Sequence, residues 1–293
     1  MFVLLVVKTS NYELHGEQVT AQVKLGRVPP EQLARLRQAH EEHHATVQAV
    51  QAALSGASIQ SKIIHRDDEW PPSSSFDLVV TVGGDGTLLL ASHHLPENAK
   101  IIGVRSSPSS VGHLCAYDGD EATQLAEDLA SNQVNWVRIP RMQAKIYSTE
   151  LGQTVLTPPA LNDCLFANRN PAATTRYYLK FGNRGEFHKS SGIWLSTGIG
   201  STAAIRAAGG HQFARETRKL QFLVRELYEN NEQTFDLRHE LFDPDETPLT
   251  IECRSQQAML AIDGTHGFHM LSFGDTVRII WAPDITIAVA GKR

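Results

Sequence analysis

The sequence predicts an α/β N-terminal domain with a mostly parallel sheet, followed by a β-rich C-terminal domain. Three observations lead there. Up to about Ser131, apolar β-rich runs alternate with helical stretches, the pattern of a parallel sheet covered by helices. From about Val134 the pattern shifts to short apolar runs separated by turn residues. The chain has 293 residues, 41% of them apolar, enough for two modest cores.

The elements run as follows. Phe2 to Lys8 is a buried first strand, and Asn11 to Arg27 a polar connection interrupted by glycine. Pro29-Pro30 opens a long helix to about Leu54, with Leu33, Leu36, Val47, Val50 and Leu54 on one stripe. Ser58 to His65 is a second strand, and Phe76 to Val82 a third after the polar break at Pro71 to Ser75. A Gly-rich turn, a short helix over Leu88 to His94, a strand at Lys100 to Val104 and a helix from Glu121 to Ser131 complete the first domain. Later strands are expected at Val137–Ile139, Ala144–Tyr147, Ala160–Ala167, Tyr177–Phe181 and Gly192–Ser196. Thr250–Glu252, Ala258–Ile262, Thr276–Trp281 and Ile285–Val289 follow, with a solvated acidic loop at Asp243 to Glu246. The expected division is 1–131, 132–272 and a C-terminal stretch, 273–293, returning to the first domain.

Composition narrows the function. Lys plus Arg is 27 and Asp plus Glu 32, a net charge of −5, so a generalised nucleic-acid or anionic-membrane binder is not expected. Any phosphate must be held by a few groups in the right geometry. Cys115, Cys164 and Cys253 are widely spaced with no CxxC pair, which suits reduced cytoplasmic thiols and neither a disulfide framework nor a cysteine zinc site. The apolar run Met1 to Val7 is too short for a membrane span and lacks signal-peptide features.

The sharpest local feature is Val82-Gly83-Gly84-Asp85-Gly86-Thr87, where a strand ends and a helix begins. Open α/β sheets bind ligands at that edge. Glycines allow close backbone approach to phosphate, and the helix N-terminus adds positive partial charge. A carboxylate there suits accepting a proton from an attacking hydroxyl or holding a divalent metal; the bland alternative is that Asp85 caps the helix. No Gly-Lys-Ser/Thr follows, so the loop is not a Walker A motif, and its glycines lack the dinucleotide-fold spacing.

The loop resembles the GGDG signature of the superfamily comprising NAD kinases, diacylglycerol and sphingosine kinases, and phosphofructokinases. Downstream segments select the branch. Leu161-Asn162-Asp163 resembles the Asn-acidic motif of NAD kinases, and Ser196-Thr197-Gly198-Ile199-Gly200-Ser201-Thr202-Ala203 their second loop, usually written STPTGSTAY. Ile262-Asp263-Gly264 matches a late Asp-Gly turn. Gly112-His113-Leu114-Cys115-Ala116, Ser201-Thr202-Ala203-Ala204, Ala208-Gly209-Gly210 and Leu220 to Glu226 are most similar to the plant-type NADH kinase branch.

The resemblance covers nearly the whole chain and implies an NAD kinase or diacylglycerol kinase-like architecture. It implies transfer of the γ-phosphoryl of ATP to the 2′-hydroxyl of the adenosine ribose of NAD⁺ or NADH, with Mg²⁺ carried on ATP and no fixed protein metal ligands. Asp85 is then the base, and Gly83, Gly84, Gly86, Thr87 and Leu89 lie against the cofactor or phosphates. Asn162 and Asp163 hold ribose hydroxyls, Thr202 and Ala203 line a base pocket, and Tyr117 offers an aromatic face. His113, Lys189, Asp263 and His266 are candidates for phosphate or substrate contact. The site is expected between the domains, in a homodimer or homotetramer. A lipid or sugar kinase of the same superfamily and a non-catalytic dinucleotide sensor are the alternatives.

Several positions depart from the family pattern. Asp163 stands where glutamate is frequent, Ala204 replaces the tyrosine closing the second loop, Ser191 the aspartate before Gly192, and Ala116 a phenylalanine. Losing a carboxylate near a cationic oxidised nicotinamide costs less for the neutral reduced ring, so a preference for NADH is expected. His40-Glu41-Glu42-His43-His44 is a literal HExxH match on a helix. No second helix with an obvious third ligand follows it, so a partly buried helix face is expected there rather than a metal site.

Overall fold

The computed structural model describes residues 1–229, 234–265 and 267–291. It divides into two compact units, residues 1–137 with 285–293, and residues 138–284. The divisions fall after residues 137 and 284, within two long strands, Trp136–Ser148 and Thr276–Ala288, where the sequence suggested 131 and 272.

The first unit begins with β1 (Phe2–Val7), α1 (Asn11–Lys24), α2 (Pro30–Gly56) and β2 (Gln60–His65). It continues with β3 (Leu78–Gly83), α3 (Asp85–His93), β4 (Lys100–Arg105), β5 (Tyr117–Asp118) and α4 (Ala122–Ala130). Strands β2, β1, β3 and β4 pair in that order, all parallel. Val3, Leu5, Val80, Val82, Ile102 and Val104 form one buried cluster with Val50 and Leu54 of α2 and Leu125 of α4. Parallel strands covered this way read as continuous apolar runs, and β1 and β3 do.

Helix α1 corrects the expectation of a polar connection over Asn11–Arg27. Its start is a capping box: Ser10 Oγ accepts from Glu13 N at 3.2 Å, and Glu13 Oε2 accepts from Ser10 N at 2.6 Å. The Ser-x-x-Glu signature was present, but the apolar stripe behind it is thin.

The second unit contains most of β6 (Trp136–Ser148), then β7 (Gln153–Leu156), β8 (Asp163–Asn168), β9 (Thr175–Phe181), β10 (Arg184–Ser190) and β11 (Gly192–Ser196). The short α5 (Ala204–Ala207) precedes β12 (Leu220–Arg225), β13 (His239–Phe242), β14 (Leu249–Cys253), β15 (Ala258–Ile262), β16 (Gly267–Leu271) and β17 (Thr276–Ala288). One sheet runs β13-β12-β11-β8-β15-β16, antiparallel throughout. The other pairs β10-β9-β14 with the start of β17, and β6 with β17 and β7. Tyr177, Leu179 and Ile251 of one sheet share a buried cluster with Phe166, Leu195 and Leu260 of the other, so the sheets face each other. The last residues of β17 return: Thr286 and Ile287 pair in parallel with Lys100 and Ile101 of β4.

Two pairs of expected short strands are single 13-residue strands here, β6 and β17. Each contains a proline, Pro140 or Pro283, which reads in sequence as a strand break. The Pro283 carbonyl accepts from Arg141 Nε at 2.8 Å, linking the two strands where the prolines lie. Strands β7, β10, β12, β13 and β16 were not expected as separate elements. The acidic stretch at Asp243 is a turn whose Asp243 Oδ1 accepts from Trp281 Nε1 at 2.8 Å.

Candidate active site

In the first unit, β3 delivers the chain to Gly83 and α3 begins at Asp85. Glycine is required at Gly83 and Gly84. A Cβ on Gly83 would collide with the Thr87 side chain, and one on Gly84 would lie 2.6 Å from the Val111 carbonyl. The 109–111 segment is therefore in backbone contact with the loop, and Asp85 N donates to Val111 O at 2.9 Å.

The Asp85 carboxylate is half-buried and held from outside its own helix. Oδ1 accepts from Leu114 N at 2.9 Å and Oδ2 from His113 N at 3.1 Å. Each carboxylate oxygen has two lone-pair directions, so both keep capacity for a further donor. A plain helix cap would accept from its own helix's N–H groups; this carboxylate accepts from a neighbouring segment instead. His113 takes part through its main chain, while its ring is exposed.

Beside this loop opens a cleft of about 520 Å³, lined among others by Lys8, Arg35, Arg66, Gly84, Asp85, Gly86 and Thr87. Three of these side chains are cationic, and Asp85 is the only carboxylate among the described residues of the lining. Lys8 and Arg66 immediately follow the carboxyl ends of β1 and β2, the ligand-binding edge of a parallel sheet. Burial, with the nearby Arg66 charge, lowers the Lys8 pKa. Lys8 Nζ donates to Ser110 Oγ at 3.0 Å. Arg66 Nε is buried without a hydrogen-bond partner, its contact with Asp67 being long at 3.5 Å. A chain of net −5 thus concentrates positive charge next to its glycine loop.

Not every expected residue reaches the cleft. Leu89 is 8% exposed and belongs to the core. The Tyr117 hydroxyl donates to Asp128 Oδ2 at 2.7 Å, and Tyr117 lines a different depression with Arg105 and Asp118.

In the second unit, Asp163 begins β8 with Asn162 just before it, and the hub is Asp263, in a left-handed conformation with φ 48°. Its carboxylate accepts from Leu161 N at 3.0 Å, Asn162 N at 2.8 Å and Asp163 N at 3.1 Å. Asp263 thus acts on the backbone of the Asn-Asp turn. Thr197 Oγ1, fully buried, donates to Leu161 O at 2.6 Å, and Thr197 N to Asn162 O at 3.1 Å. Through these bonds the second Gly/Thr-rich loop is clamped onto the same turn. A Cβ on Gly200 would overlap the Asn162 carbonyl.

Asp163 is 4% exposed. Burial, reinforced by the Asp263 charge, pushes its pKa from 3.8 to about 7. Asn162 Nδ2 donates to Asp163 Oδ2 at 3.2 Å. A buried carboxyl poised to ionise near neutrality is suited to a ligand that brings hydroxyl donors.

Thr202 is exposed, with Oγ1 donating to Ile199 O at 3.2 Å, and Ala203 follows it at the head of α5. Lys189 Nζ lies 4.5 Å from the centroid of the Tyr228 ring. His266 lies outside the described residues. Sequence reasoning missed Lys8, Arg35 and Arg66, and placed Thr197 within the second loop without giving it a role. The position of Lys8 and Arg66 just past two parallel strands was the signal available for them.

Comparison with known proteins gives one consistent result. Residues 3–134 match the family model for the ATP-NAD kinase N-terminal domain. The NADH kinase of Arabidopsis thaliana is 33% identical over 272 residues, covering 85% of this chain and 84% of that protein. A probable NADH kinase of Oryza sativa subsp. japonica is 30% identical over 81% of this chain and 78% of its own length. Among solved structures, yeast NADH kinase complexed with NADH has a TM-score of 0.74 at 15% identity, covering 99% of this chain and 84% of that one. An NAD kinase from Archaeoglobus fulgidus in complex with ATP has a TM-score of 0.67 at 17% identity, covering 98% and 93%.

Proposed function

The chain belongs to the NAD kinase family, and from that premise we propose that it transfers the γ-phosphoryl of ATP to the 2′-hydroxyl of the adenosine ribose of NAD(H). The observation that carries this reading is the placement of Asp85: a carboxylate at the head of α3, oriented by two backbone N–H groups, lining a cleft with Lys8, Arg35 and Arg66. A ribose hydroxyl is a weak nucleophile at neutral pH, and a fixed carboxylate that accepts its proton raises its reactivity. Cationic side chains and glycine backbone balance the triphosphate charge.

Asp163 and Asn162 take the part of ribose-hydroxyl partners. A carboxylate accepts from two hydroxyls, and those donors favour its charged form. Mg²⁺ fits as a passenger on ATP. Asp85 is the one carboxylate among the described residues lining the cleft, so a metal arriving with ATP would be held chiefly by its own phosphate and water oxygens. The metal screens the phosphate charge.

NADH is the preferred acceptor in this reading. Ser191 supplies no carboxylate; Arg225 Nη1 donates to the Ser191 carbonyl at 3.5 Å, and that guanidinium pairs with Glu226 at 3.7 Å. Without a carboxylate at position 191 a cationic oxidised ring loses an attraction that a neutral reduced ring does not use. A cytoplasmic homodimer or homotetramer completes the proposal; no helix among the described residues is long and apolar enough to cross a membrane. The test is incubation with ATP, Mg²⁺ and either NAD⁺ or NADH, measuring NADP(H). Product with both, at higher kcat/KM for NADH, is expected; tight dinucleotide binding with no product contradicts the reading.

A further inference from the structure

The HExxH segment of α2 does not stand alone. His40 and His44 are one helical turn apart, with ring centroids 4.3 Å from each other. The third group comes from α1, which precedes them in sequence: Glu13 Oε1 is 3.2 Å from His44 Nε2. Glu13, His40 and His44 each offer one donor atom, and the three atoms lie within 4.8 Å of one another.

The surroundings hold these side chains in place. Ser10 N fixes Glu13 Oε2 at 2.6 Å, leaving Oε1 turned toward His44. Ser10 Oγ lies 2.8 Å from His40 Nδ1, which leaves Nε2 as the nitrogen free to ligate. Metal-bound histidines commonly have their second ring nitrogen held in this way. The glutamate within the motif, Glu41, has no part in the cluster.

We propose that Glu13, His40 and His44 form a binding site for a single divalent transition metal of the zinc class. Two imidazoles and one carboxylate suit zinc and its neighbours, whereas magnesium and calcium favour oxygen ligands. Three protein ligands leave a coordination position for water or an anion. His40 and Ser10 also line the cleft that contains Asp85 and Lys8, so the metal would sit at that cleft's rim and tie α1 to α2. The site is distinct from any magnesium carried on ATP and takes no part in the phosphoryl transfer proposed above.

The test uses the full chain, stripped with a chelator and titrated with zinc against a chromophoric competitor, with bound metal counted by mass spectrometry. One zinc per chain is expected, with a rise in melting temperature. H40A/H44A should weaken zinc binding at least about tenfold while its chelator-state melting temperature and far-UV dichroism match the parent. E13Q keeps an oxygen for the Ser10 cap, tests the site without removing a histidine, and should also weaken binding. H211A/H239A removes the other close histidine pair, whose rings are 4.6 Å apart, and should change nothing. Unchanged zinc binding in both H40A/H44A and E13Q, or its loss in H211A/H239A alone, overturns the proposal and leaves Glu13–His44 as an ordinary hydrogen bond.

Discussion

Replacing Asp163 with asparagine should alter how stability depends on pH. Burial, with the Asp263 charge beside it, raises the Asp163 pKa from 3.8 to about 7. Between those values the folded chain retains a proton that the unfolded chain has lost, so folding stability falls as pH rises through this window. From about pH 5 to about pH 8 the penalty grows by roughly 3 kcal/mol, at about 1.4 kcal/mol per pH unit until the carboxyl ionises near 7. The asparagine side chain would keep a carbonyl acceptor for Asn162 Nδ2 and carry no charge. Urea unfolding of both proteins at about pH 5, 6, 7 and 8 isolates this group, because every other titration is common to the pair. The variant should gain on the parent by roughly 3 kcal/mol across the series, the gain levelling off above pH 7. A difference that stays constant with pH refutes the buried-acid account.

Three further outcomes follow from the same geometry. Dinucleotide binding should release a proton between about pH 5 and 7, because ribose hydroxyls favour the charged Asp163; calorimetry in buffers of different ionisation enthalpy reads this, and D163N should abolish it. Gly200→Ala should destabilise by about 1–3 kcal/mol and weaken dinucleotide binding, since the new methyl overlaps the Asn162 carbonyl; thermal melting and equilibrium binding check both. Lys8→Gln should raise KM for ATP by about tenfold or more with a smaller change in kcat, the loss of a charged phosphate contact being about 1.5–3 kcal/mol; steady-state kinetics at saturating NADH measures it.

Much of the fold was legible because its signals are local. The apolar run of β3 ending in Gly83-Gly84-Asp85-Gly86 marked both a strand end and a helix start, and the structure has both. Helix α1 was missed because its identity rests on the Ser10–Glu13 cap rather than on an apolar stripe. Strands β6 and β17 were cut in two because Pro140 and Pro283 carry the local signature of a break, while the pairing that accommodates them is long-range.

The candidate site divides along the same line. Asp85 and the Asn162-Asp163 pair are motif residues and visible in one dimension. What holds them is not: Asp85 is oriented by His113 and Leu114 N–H groups, and Asn162-Asp163 by Asp263, about a hundred positions away. Composition could say that phosphate must be held locally. It could not show Lys8, Arg35 and Arg66 converging on one cleft from β1, α2 and β2.

The central claim, that Asp85 is the base of an NAD(H) kinase, is tested most directly by comparing NADP(H) formation by the parent chain and Asp85→Asn. The assay uses saturating ATP, Mg²⁺ and NADH, with NADH binding measured alongside. A loss of roughly 10²–10⁴ in kcat with NADH still bound is predicted, the range expected for removing a positioned base. Near-full turnover in the variant contradicts it.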